Sequence, residues 1–344
     1  MIIASVGIGT GTDAYRAGVD ACVEALSGLS LHKPEVLFVF ASVSFDQDKL
    51  IEGISKSSPG TLIVGCSTAG EISGDGLSLE KSVVIMAIAS DKIKFWGAVG
   101  NHIIWNSKQA GQELANTLEY DSHGYMTSAL LFLDIISGNG ELSVEGMLER
   151  LGQNFPVYGG SSADDMLFFQ TYQYLGDKVY SGSAVGVGIS GEYHAAGVAR
   201  HGFLPIGISR KVTRSEGTTL LELDGKPAVS IYEDYFGEEH LSELHEGLLP
   251  ALAVSYPLGV FLPESNNVIL RTPVFVDQKG GMTFTSSIPE GSEVKLMISD
   301  IERGLEIAVE TAKEAVAKLE GRKPKAAIII NSVARKKNAW IKSR

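Results

Sequence analysis

Two short segments of this sequence combine glycine, small residues, hydroxyls and acids in the same order. The first signature segment is Gly65-Cys66-Ser67-Thr68-Ala69-Gly70-Glu71, and the second is Gly159-Gly160-Ser161-Ser162-Ala163-Asp164-Asp165. Glycine and small residues leave backbone N–H groups uncovered, while hydroxyls and carboxylates add polar contacts. The pattern predicts a cup for a small polar ligand or an anion. The alternative is a tight connection whose Ser and Asp side chains hydrogen-bond to their own backbone.

Cysteine and histidine are the other residue types here that could do chemistry. Cys66 stands in a glycine-flanked turn and is a candidate nucleophile, but no histidine occurs in a recognisable partner motif. His240 and His245 lie five residues apart, whereas two metal ligands on one helix face need a spacing of three or four. The sequence also has no Walker loop, no dinucleotide-binding glycine motif and no nucleophile elbow. We therefore predict a binding protein without catalytic residues, metal or cofactor.

The two signature segments belong to longer stretches that resemble each other. Their opening glycines stand 94 residues apart (65 to 159), and upstream Ile51-Glu52-Gly53-Ile54 matches Val144-Glu145-Gly146-Met147. A steady offset indicates an internal duplication, with residues 35–100 and 128–200 as its copies. Copies that pack around a pseudo-two-fold axis bring equivalent loops together. We therefore expect the two signature segments to face each other or a common cavity, with Glu71 and Asp165 nearby.

The elements around these segments predict a mixed α/β (α+β) protein in two parts, with mixed or antiparallel sheets flanked by helices. Apolar strands precede both segments, and the second is followed by a long strand over residues 166–175. Residues 193–198 and 326–330 are also predicted strands, the latter buried. Ser299-Asp300-Ile301-Glu302 opens a helix whose apolar stripe includes Leu305, Ala308 and Ala312. The two domains are expected at residues 1–204 and 205–344.

Composition excludes several classes of function. The 344 residues suffice for two domains at roughly 150 residues each, and 44% of them are hydrophobic. A net charge of −12 argues against a nucleic-acid surface and against docking to anionic lipid. Two cysteines indicate a reducing compartment. No signal peptide and no apolar run of about 20 residues is found, so a cytoplasmic protein without membrane insertion is expected.

The signature segments resemble those of the FIST family, intracellular sensory domains of signal transduction with an N-terminal and a C-terminal part. The second half supports this resemblance at Leu223-Asp224-Gly225-Lys226-Pro227-Ala228, Arg271-Thr272-Pro273 and Glu290-Gly291. It implies non-covalent binding of a small ligand, such as an amino acid, and signalling through a separate protein. That partner would be a histidine kinase, a cyclase or a chemotaxis receptor, and a homo-oligomer is a further expectation. Family members usually continue past residue 330 with another helix and strand, so the second part is expected to be incomplete.

Residues of both signature segments and one arginine form the predicted binding site. Arg271 is the candidate clamp for a ligand carboxylate, because a guanidinium binds carboxylates with two hydrogen bonds. One alternative is acyl transfer by Cys66. The other is a haem-binding nitric oxide sensor with His102, His123 or His194 as axial ligand. The predicted ligand-binding residues are Cys66, Ser67, Thr68, Glu71, Gly159, Gly160, Ser161, Ser162, Asp164, Asp165 and Arg271.

Overall fold

The computed structural model describes residues 1–74, 78–79, 81–165, 167–237, 249–262, 268–333 and 335. The chain divides into two compact units. The first unit is Met1–Ala195 together with Arg322–Ile330, and the second is Ala196–Gly321 together with Asn331–Arg344. The division between the units falls after Ala195, whereas the sequence predicts it after residue 204. The assignment of domains at 1–204 and 205–344 stays a prediction.

The first unit alternates strands and helices. Its first half contains β1 Ile2–Thr10, α1 Ala14–Ser27, β2 Val36–Ser42, α2 Gln47–Ser57, β3 Leu62–Thr68, β4 Glu71–Ile72, β5 Ser78–Leu79 and β6 Ser82–Ser90. Its second half contains β7 Ile93–Gly100, α3 Ser107–Asp121, β8 Met126–Leu133, α4 Gly140–Leu151, β9 Val157–Ser161, β10 Gln173–Leu175, β11 Lys178–Tyr180 and β12 Ala184–Gly191.

Most strands of the first unit belong to two sheets. The first sheet has the order β1-β6-β2-β3-β10-β11, and the second has the order β7-β12-β8-β9. Each sheet contains one parallel pair, β2 with β3 and β8 with β9. The other neighbouring strands of both sheets run antiparallel. The predicted mixed α/β class, with sheets flanked by helices, is confirmed.

The two halves repeat one order of elements. Residues 2–90 form a strand, a helix, a strand, a helix and a strand. After the short β4–β5 pair, the last strand, β6, inserts between β1 and β2. Residues 93–191 form the same series with the same strand order. The repeated order begins at β1 and β7, earlier in the chain than the predicted copies at 35–100 and 128–200. That it arose by duplication stays a prediction.

The first unit is layered because its central strands are apolar on both faces, as strands covered on both sides must be. In β2, Leu37 and Val39 pack with α1 and α2, while Val36 and Phe38 face the second sheet. On the second sheet, α3 and α4 cover the outer face. The two sheets therefore pack against each other, with a pair of helices outside each. The helices within the described ranges all fall short of the length and hydrophobicity that a membrane-spanning segment needs.

The second unit is built around one large sheet with the order β17-β16-β20-β13-β14-β19-β18, and β15 pairs with β14. Its core contains Val212, Leu223, Tyr232, Leu258 and Leu296. The elements are β13 Leu204–Glu216, β14 Thr219–Leu223, β15 Lys226–Pro227, α5 Ser230–Phe236, α6 Leu249–Ser255, β16 Leu258–Phe261, β17 Val268–Arg271, β18 Pro273–Val276, β19 Met282–Phe284, β20 Glu293–Ile298 and α7 Ile301–Ala317.

Three strand predictions are wrong. Residues 326–330 form no strand, and Ile329 is 68% exposed, although Ile328 packs into the core between the two sheets of the first unit. The run has the apolar character of a strand but no ladder partner. Residues 193–198 are also irregular, and the long strand predicted for 166–175 is reduced to β10. His240 and His245 lie outside the described residues.

Close helix packing in the first unit generates a stability prediction. A Cβ at Gly18 of α1 would lie 2.6 Å from the Leu50 carbonyl oxygen of α2, and one at Gly53 of α2 would lie 2.4 Å from the Tyr15 carbonyl oxygen. Gly18→Ala is expected to lower the free energy of unfolding by about 1–3 kcal/mol, because the helices must separate. Urea unfolding followed by circular dichroism measures this change.

Gly304 in α7 offers the matched control, because a Cβ there has open space. Gly304→Ala is expected to stabilise its helix by about 0.5–1 kcal/mol, since alanine restricts the unfolded chain and favours the helix. Equal losses of stability in both variants would contradict the packing argument.

Candidate functional site

The two signature segments are in direct contact. The Ser67 hydroxyl donates to the Ala163 carbonyl oxygen at 2.8 Å, and the Ala163 N–H donates to the Ser67 carbonyl oxygen at 2.9 Å. Ser67 also receives the Tyr172 N–H on its hydroxyl at 2.9 Å. Its side chain is fully buried, and these bonds use both its donor and an acceptor. Ser67 therefore joins the two segments through these bonds, and its predicted contact with a ligand stays a prediction.

Cys66 lies in the interior beside the second signature segment. Its thiol is hydrogen-bonded to Ser162, and burial raises the pKa of the thiol to about 12. A thiol with so high a pKa carries almost no thiolate near neutral pH, and the thiolate is the nucleophilic form.

Gln173 of β10 completes a buried polar cluster with these residues. Its Nε2 donates to the Ser162 hydroxyl at 3.0 Å and to the Thr171 hydroxyl at 3.1 Å. Its Oε1 is buried and has no hydrogen-bond partner among the described residues. A buried acceptor of this kind normally has a partner, so this position suits a water molecule or a donor group. We did not predict Gln173, although the sequence places this amide between two tyrosines, Tyr172 and Tyr174.

Asp164 organises the loop that follows the second signature segment. Its carboxylate accepts hydrogen bonds from the backbone N–H groups of Phe168, Phe169 and Gln170 at 3.1, 2.6 and 3.1 Å. These bonds hold residues 168–170 in a turn, and Phe168 has a φ of +52°. Because these N–H groups already donate to Asp164, they cannot pair with a neighbouring strand. This explains why the long strand predicted for residues 166–175 is absent.

Glu71 is the buried acid of the first signature segment, with 1% of its surface exposed. The hydroxyls of Thr68 and Ser82 donate to its two carboxylate oxygens. Burial raises the pKa of Glu71 to about 7, these two hydrogen bonds oppose the rise, and the nearby charge of Asp165 adds to it. Glu71 and Asp165 are therefore near enough to interact electrostatically. Ser82 was not predicted, because it lies eleven residues beyond the segment.

Asp165 is the exposed acid of the pair. Its backbone has a φ of +58°, in the left-handed region. Aspartate is one of the few side chains that tolerate this region. Ser161, at the end of β9, is also exposed. Asp165 and Ser161 are therefore the two side chains of the second segment that face solvent most openly.

The glycines that open the segments allow close approach of paired strands. A Cβ at Gly65 would lie 1.8 Å from the Val39 carbonyl oxygen, and one at Gly159 would lie 2.0 Å from the Leu131 carbonyl oxygen. Gly159 also has a φ of +136°. A Cβ at Gly160 would meet Ile330 at 2.8 Å. These glycines therefore shape the strands that carry the site.

A half-open cleft of about 180 Å³ lies beside β9. Its volume is below the roughly 300–1,000 Å³ of most small-molecule sites. The lining is mainly aliphatic and includes neither Glu71 nor Asp165, so it does not match a zwitterionic ligand. The lining residues are Leu131, Leu133, Val144, Val157, Tyr158, Gly159 and Gly160.

Arg271 belongs to β17 of the second unit and is half-buried. Its Nε donates to the Ser287 carbonyl oxygen at 3.2 Å. Its Nη1 donates to the Leu270 carbonyl oxygen at 3.4 Å. The role of Arg271 as a carboxylate clamp stays a prediction. Among the described residues, no group of three or more His, Cys, Asp or Glu side chains could hold a metal ion.

The raised pKa of Glu71 generates a prediction for stability. Between pH 4.5 and 7 the folded chain keeps a proton that the unfolded chain has lost, so the wild type loses stability as the pH rises through this window. The loss amounts to about 3 kcal/mol from the size of the pKa shift. Glu71→Gln cannot ionise, so its stability relative to wild type is expected to rise by that order from pH 4.5 to 7.5.

Urea unfolding of both proteins across this pH range measures the difference. Glu119→Gln, at an exposed position of α3, controls for the loss of one carboxylate. A constant difference between Glu71→Gln and wild type at all pH values would contradict the buried, protonated carboxyl group.

Comparison with known proteins identifies the family. Residues 35–226 match the FIST N domain, and residues 228–343 match the FIST C domain. An uncharacterized protein of Methanocaldococcus jannaschii, MJ1623, is 27% identical over 299 residues. That match covers 81% of this chain and 57% of the relative, so the chain spans little more than half of the relative's length.

Two solved structures of cyanuric acid hydrolase resemble part of the fold. One, from A. caulinodans, has a TM-score of 0.32 and 8% identity and covers 56% of this chain and 72% of its own. The other has a TM-score of 0.34 and 8% identity, with 56% and 69% covered. Likeness at this level says nothing about the activity of this chain. The two domain matches together span nearly the whole sequence from residue 35, and the chain belongs to the FIST family.

Proposed function

We propose that this chain binds a small polar metabolite with a cationic group, such as an amino acid, where Glu71 and Asp165 meet. FIST domains are sensory domains of signal transduction. On this proposal the bound state is passed to a separate signalling protein, such as a histidine kinase, a cyclase or a chemotaxis receptor, and the chain performs no catalysis.

One observation carries the proposal, which is the electrostatic interaction between the buried carboxyl group of Glu71 and the exposed carboxylate of Asp165. The charge of Asp165 makes ionisation of Glu71 more costly, in addition to the cost of its burial. An ammonium group beside both acids would offset that cost, because an opposite charge favours the ionised form. Neutral ligands would gain nothing from it, so the pair favours a cation.

Proton release follows from this arrangement. With a pKa of about 7, Glu71 is mostly protonated at pH 6. A bound ammonium group would lower that pKa, so binding at pH 6 would release a proton. Titration calorimetry in two buffers of different ionisation enthalpy counts the protons released.

The buried polar cluster of the signature segments supplies a further acceptor. Gln173 Oε1 is an acceptor without a hydrogen-bond partner in the described part of the chain, and the Ser162 side chain, which the Cys66 thiol contacts, is hydrogen-bonded to the same glutamine. Ser67 and Asp164 are occupied by backbone groups, so we assign them to building the site and not to contacting the ligand.

Two alternatives receive less support. The buried Cys66 thiol, with its raised pKa, is poorly suited to nucleophilic acyl transfer. The candidate haem ligands His102, His123 and His194 are all exposed, whereas a haem is held in a pocket that covers most of its surface. We therefore propose neither an enzyme nor a haem protein.

The first prediction from this proposal concerns Asp165. A thermal-shift screen of the twenty proteinogenic L-amino acids first selects the one that stabilises wild type most. Asp165→Ala is then expected to bind that amino acid more weakly by about 1–3 kcal/mol, because a charge-assisted hydrogen bond is lost. Calorimetric titration of folded protein, checked by a melting curve, measures the affinity.

Asp177→Ala is the matched control, because Asp177 lies exposed in the turn between β10 and β11. It is expected to keep wild-type affinity. Equal affinity of Asp165→Ala and wild type would remove Asp165 from the site. A screen in which none of the amino acids raises the melting temperature would contradict the proposed ligand class.

The second prediction concerns Cys66. Iodoacetamide is expected to label it slowly in the folded protein at pH 8, because the thiol is buried and protonated. Mass spectrometry of peptides over a time course, at several pH values, measures the rate. Protein unfolded in urea supplies the reference rate, and rapid labelling of the folded protein below pH 7 would favour the acyl-transfer alternative.

A further inference from the structure

Helix α7 carries its apolar face outward. Leu305, Val309 and Val316 are 65%, 53% and 51% exposed. Their spacing places them, together with Ala308 and Ala312, on one face of the helix. Ile307, on the opposite face, is its buried residue. The observed stripe shares Leu305, Ala308 and Ala312 with the stripe that the sequence predicts for this helix, and an apolar stripe normally faces a core.

Contacts between α7 and the rest of the second unit involve the face opposite the apolar stripe. A Cβ at Gly202 would lie 2.8 Å from Ile307 Cγ2, so the chain passes closely beneath this side of the helix. Arg200 forms an ion pair with Glu314, which lies about two turns beyond Ile307 on the same face of the helix. These contacts fix the orientation of α7 and leave the apolar stripe uncovered.

Two other helices of the chain show how such a face is normally covered. Counted from the N-cap residues Asp13, Asn106 and Asp300, the fourth, fifth, eighth, ninth and twelfth positions are apolar or glycine in α1, α3 and α7. In α1 and α3 all five positions are buried beneath strands and a second helix. In α7 the same positions are exposed or only half-buried.

We propose that the stripe of α7 is covered by the stripe of α7 from a second copy of this chain, with the two helices antiparallel about a two-fold axis. The charges beside the stripe suit this partner. Glu306 and Lys313 lie seven residues apart and therefore on the same edge of the stripe. In an antiparallel two-fold pair, equal edges meet, so Glu306 of each copy faces Lys313 of the other.

A membrane surface fits the helix less well. Membrane-surface helices are rich in Lys and Arg, which anionic lipid attracts. Within its bounds α7 carries four glutamates, one arginine and one lysine. A second copy, by contrast, satisfies both the apolar stripe and the charges at its edge.

The contact is expected to be weak, because a 17-residue helix is about 25 Å long and an interface confined to it is small. We expect a dissociation constant in the micromolar range. Sedimentation equilibrium of the full chain, from about 1 to about 200 µM, measures it. Val309→Glu is expected to abolish dimerisation in this range, and circular dichroism checks that this exposed substitution leaves the fold intact.

Charge reversal tests the antiparallel arrangement. Glu306→Lys and Lys313→Glu, each alone, are expected to raise the dissociation constant by about 5-fold or more, because two like-charged pairs replace two attractive ones. The double variant is expected to return towards wild type. Glu310→Lys, on the same helix but outside the stripe and its edge, controls for the change in net charge.

Three results would overturn the proposal. One is a wild type that stays monomeric up to about 200 µM. Another is a dimer that Val309→Glu leaves unchanged, which would locate its interface elsewhere. The third is a double variant weaker than either single variant, which excludes the pairing of Glu306 with Lys313. Binding of monomeric wild type to vesicles of phosphatidylcholine and phosphatidylserine, lost in Val309→Glu, would point to a membrane instead.

Discussion

The hydrogen bonds between Ser67 and Ala163 join the two signature segments, and the candidate site depends on them. Ser67 is fully buried, so each of its polar groups must find a partner within the protein. It finds them in Ala163 and Tyr172, which belong to the other half of the first unit. Those bonds keep Cys66 beside Ser162 and bring Asp165 into the neighbourhood of Glu71.

The chemistry of the site follows from which polar groups remain unused. The side chains of Ser67 and Asp164 are hydrogen-bonded to backbone groups. The opening glycines have no side chain, which lets the paired strands approach closely. Glu71 differs, because its burial is only partly offset by the two hydroxyls that it accepts from. A carboxyl group balanced between its two protonation states near neutral pH responds readily to a charged ligand. That property suits a sensory domain.

Much of the fold could be predicted because the central strands and helices have clear patterns. β2, β3 and β8 are short apolar runs buried on both faces, and α1 has a continuous stripe of small residues. The recurrence of the signature motif also indicated that its two copies meet. Sequence periodicity could not reveal that residues 326–330 lack a strand partner, since pairing depends on distant parts of the chain.

The site itself was only partly predictable. The pattern predicted ligand contacts for Glu71, Asp165, Ser67 and Asp164, and these stay predictions. What the pattern did not indicate is that the side chains of Ser67 and Asp164 hydrogen-bond to the protein's own backbone. Gln173 and Ser82 were not predicted because they lie outside the motif. Only the fold brings them into hydrogen-bond contact with Ser162 and Glu71. For α7 the stripe was evident in the sequence, whereas its outward orientation depends on Arg200 and Gly202, about a hundred residues earlier.

The strand β10 follows the second signature segment but pairs with β3 of the first sheet, where Tyr174 stands opposite Gly65. The β10–β11 hairpin therefore belongs to the second half of the unit in sequence but to the sheet of the first half in structure. The first half alone would leave β3 as a bare edge, and bare edges invite pairing between molecules. Closing that edge requires a contact between residues more than a hundred positions apart, and such non-local contacts slow folding. During synthesis the first half must therefore wait, with its edge open, until β10 has emerged from the ribosome.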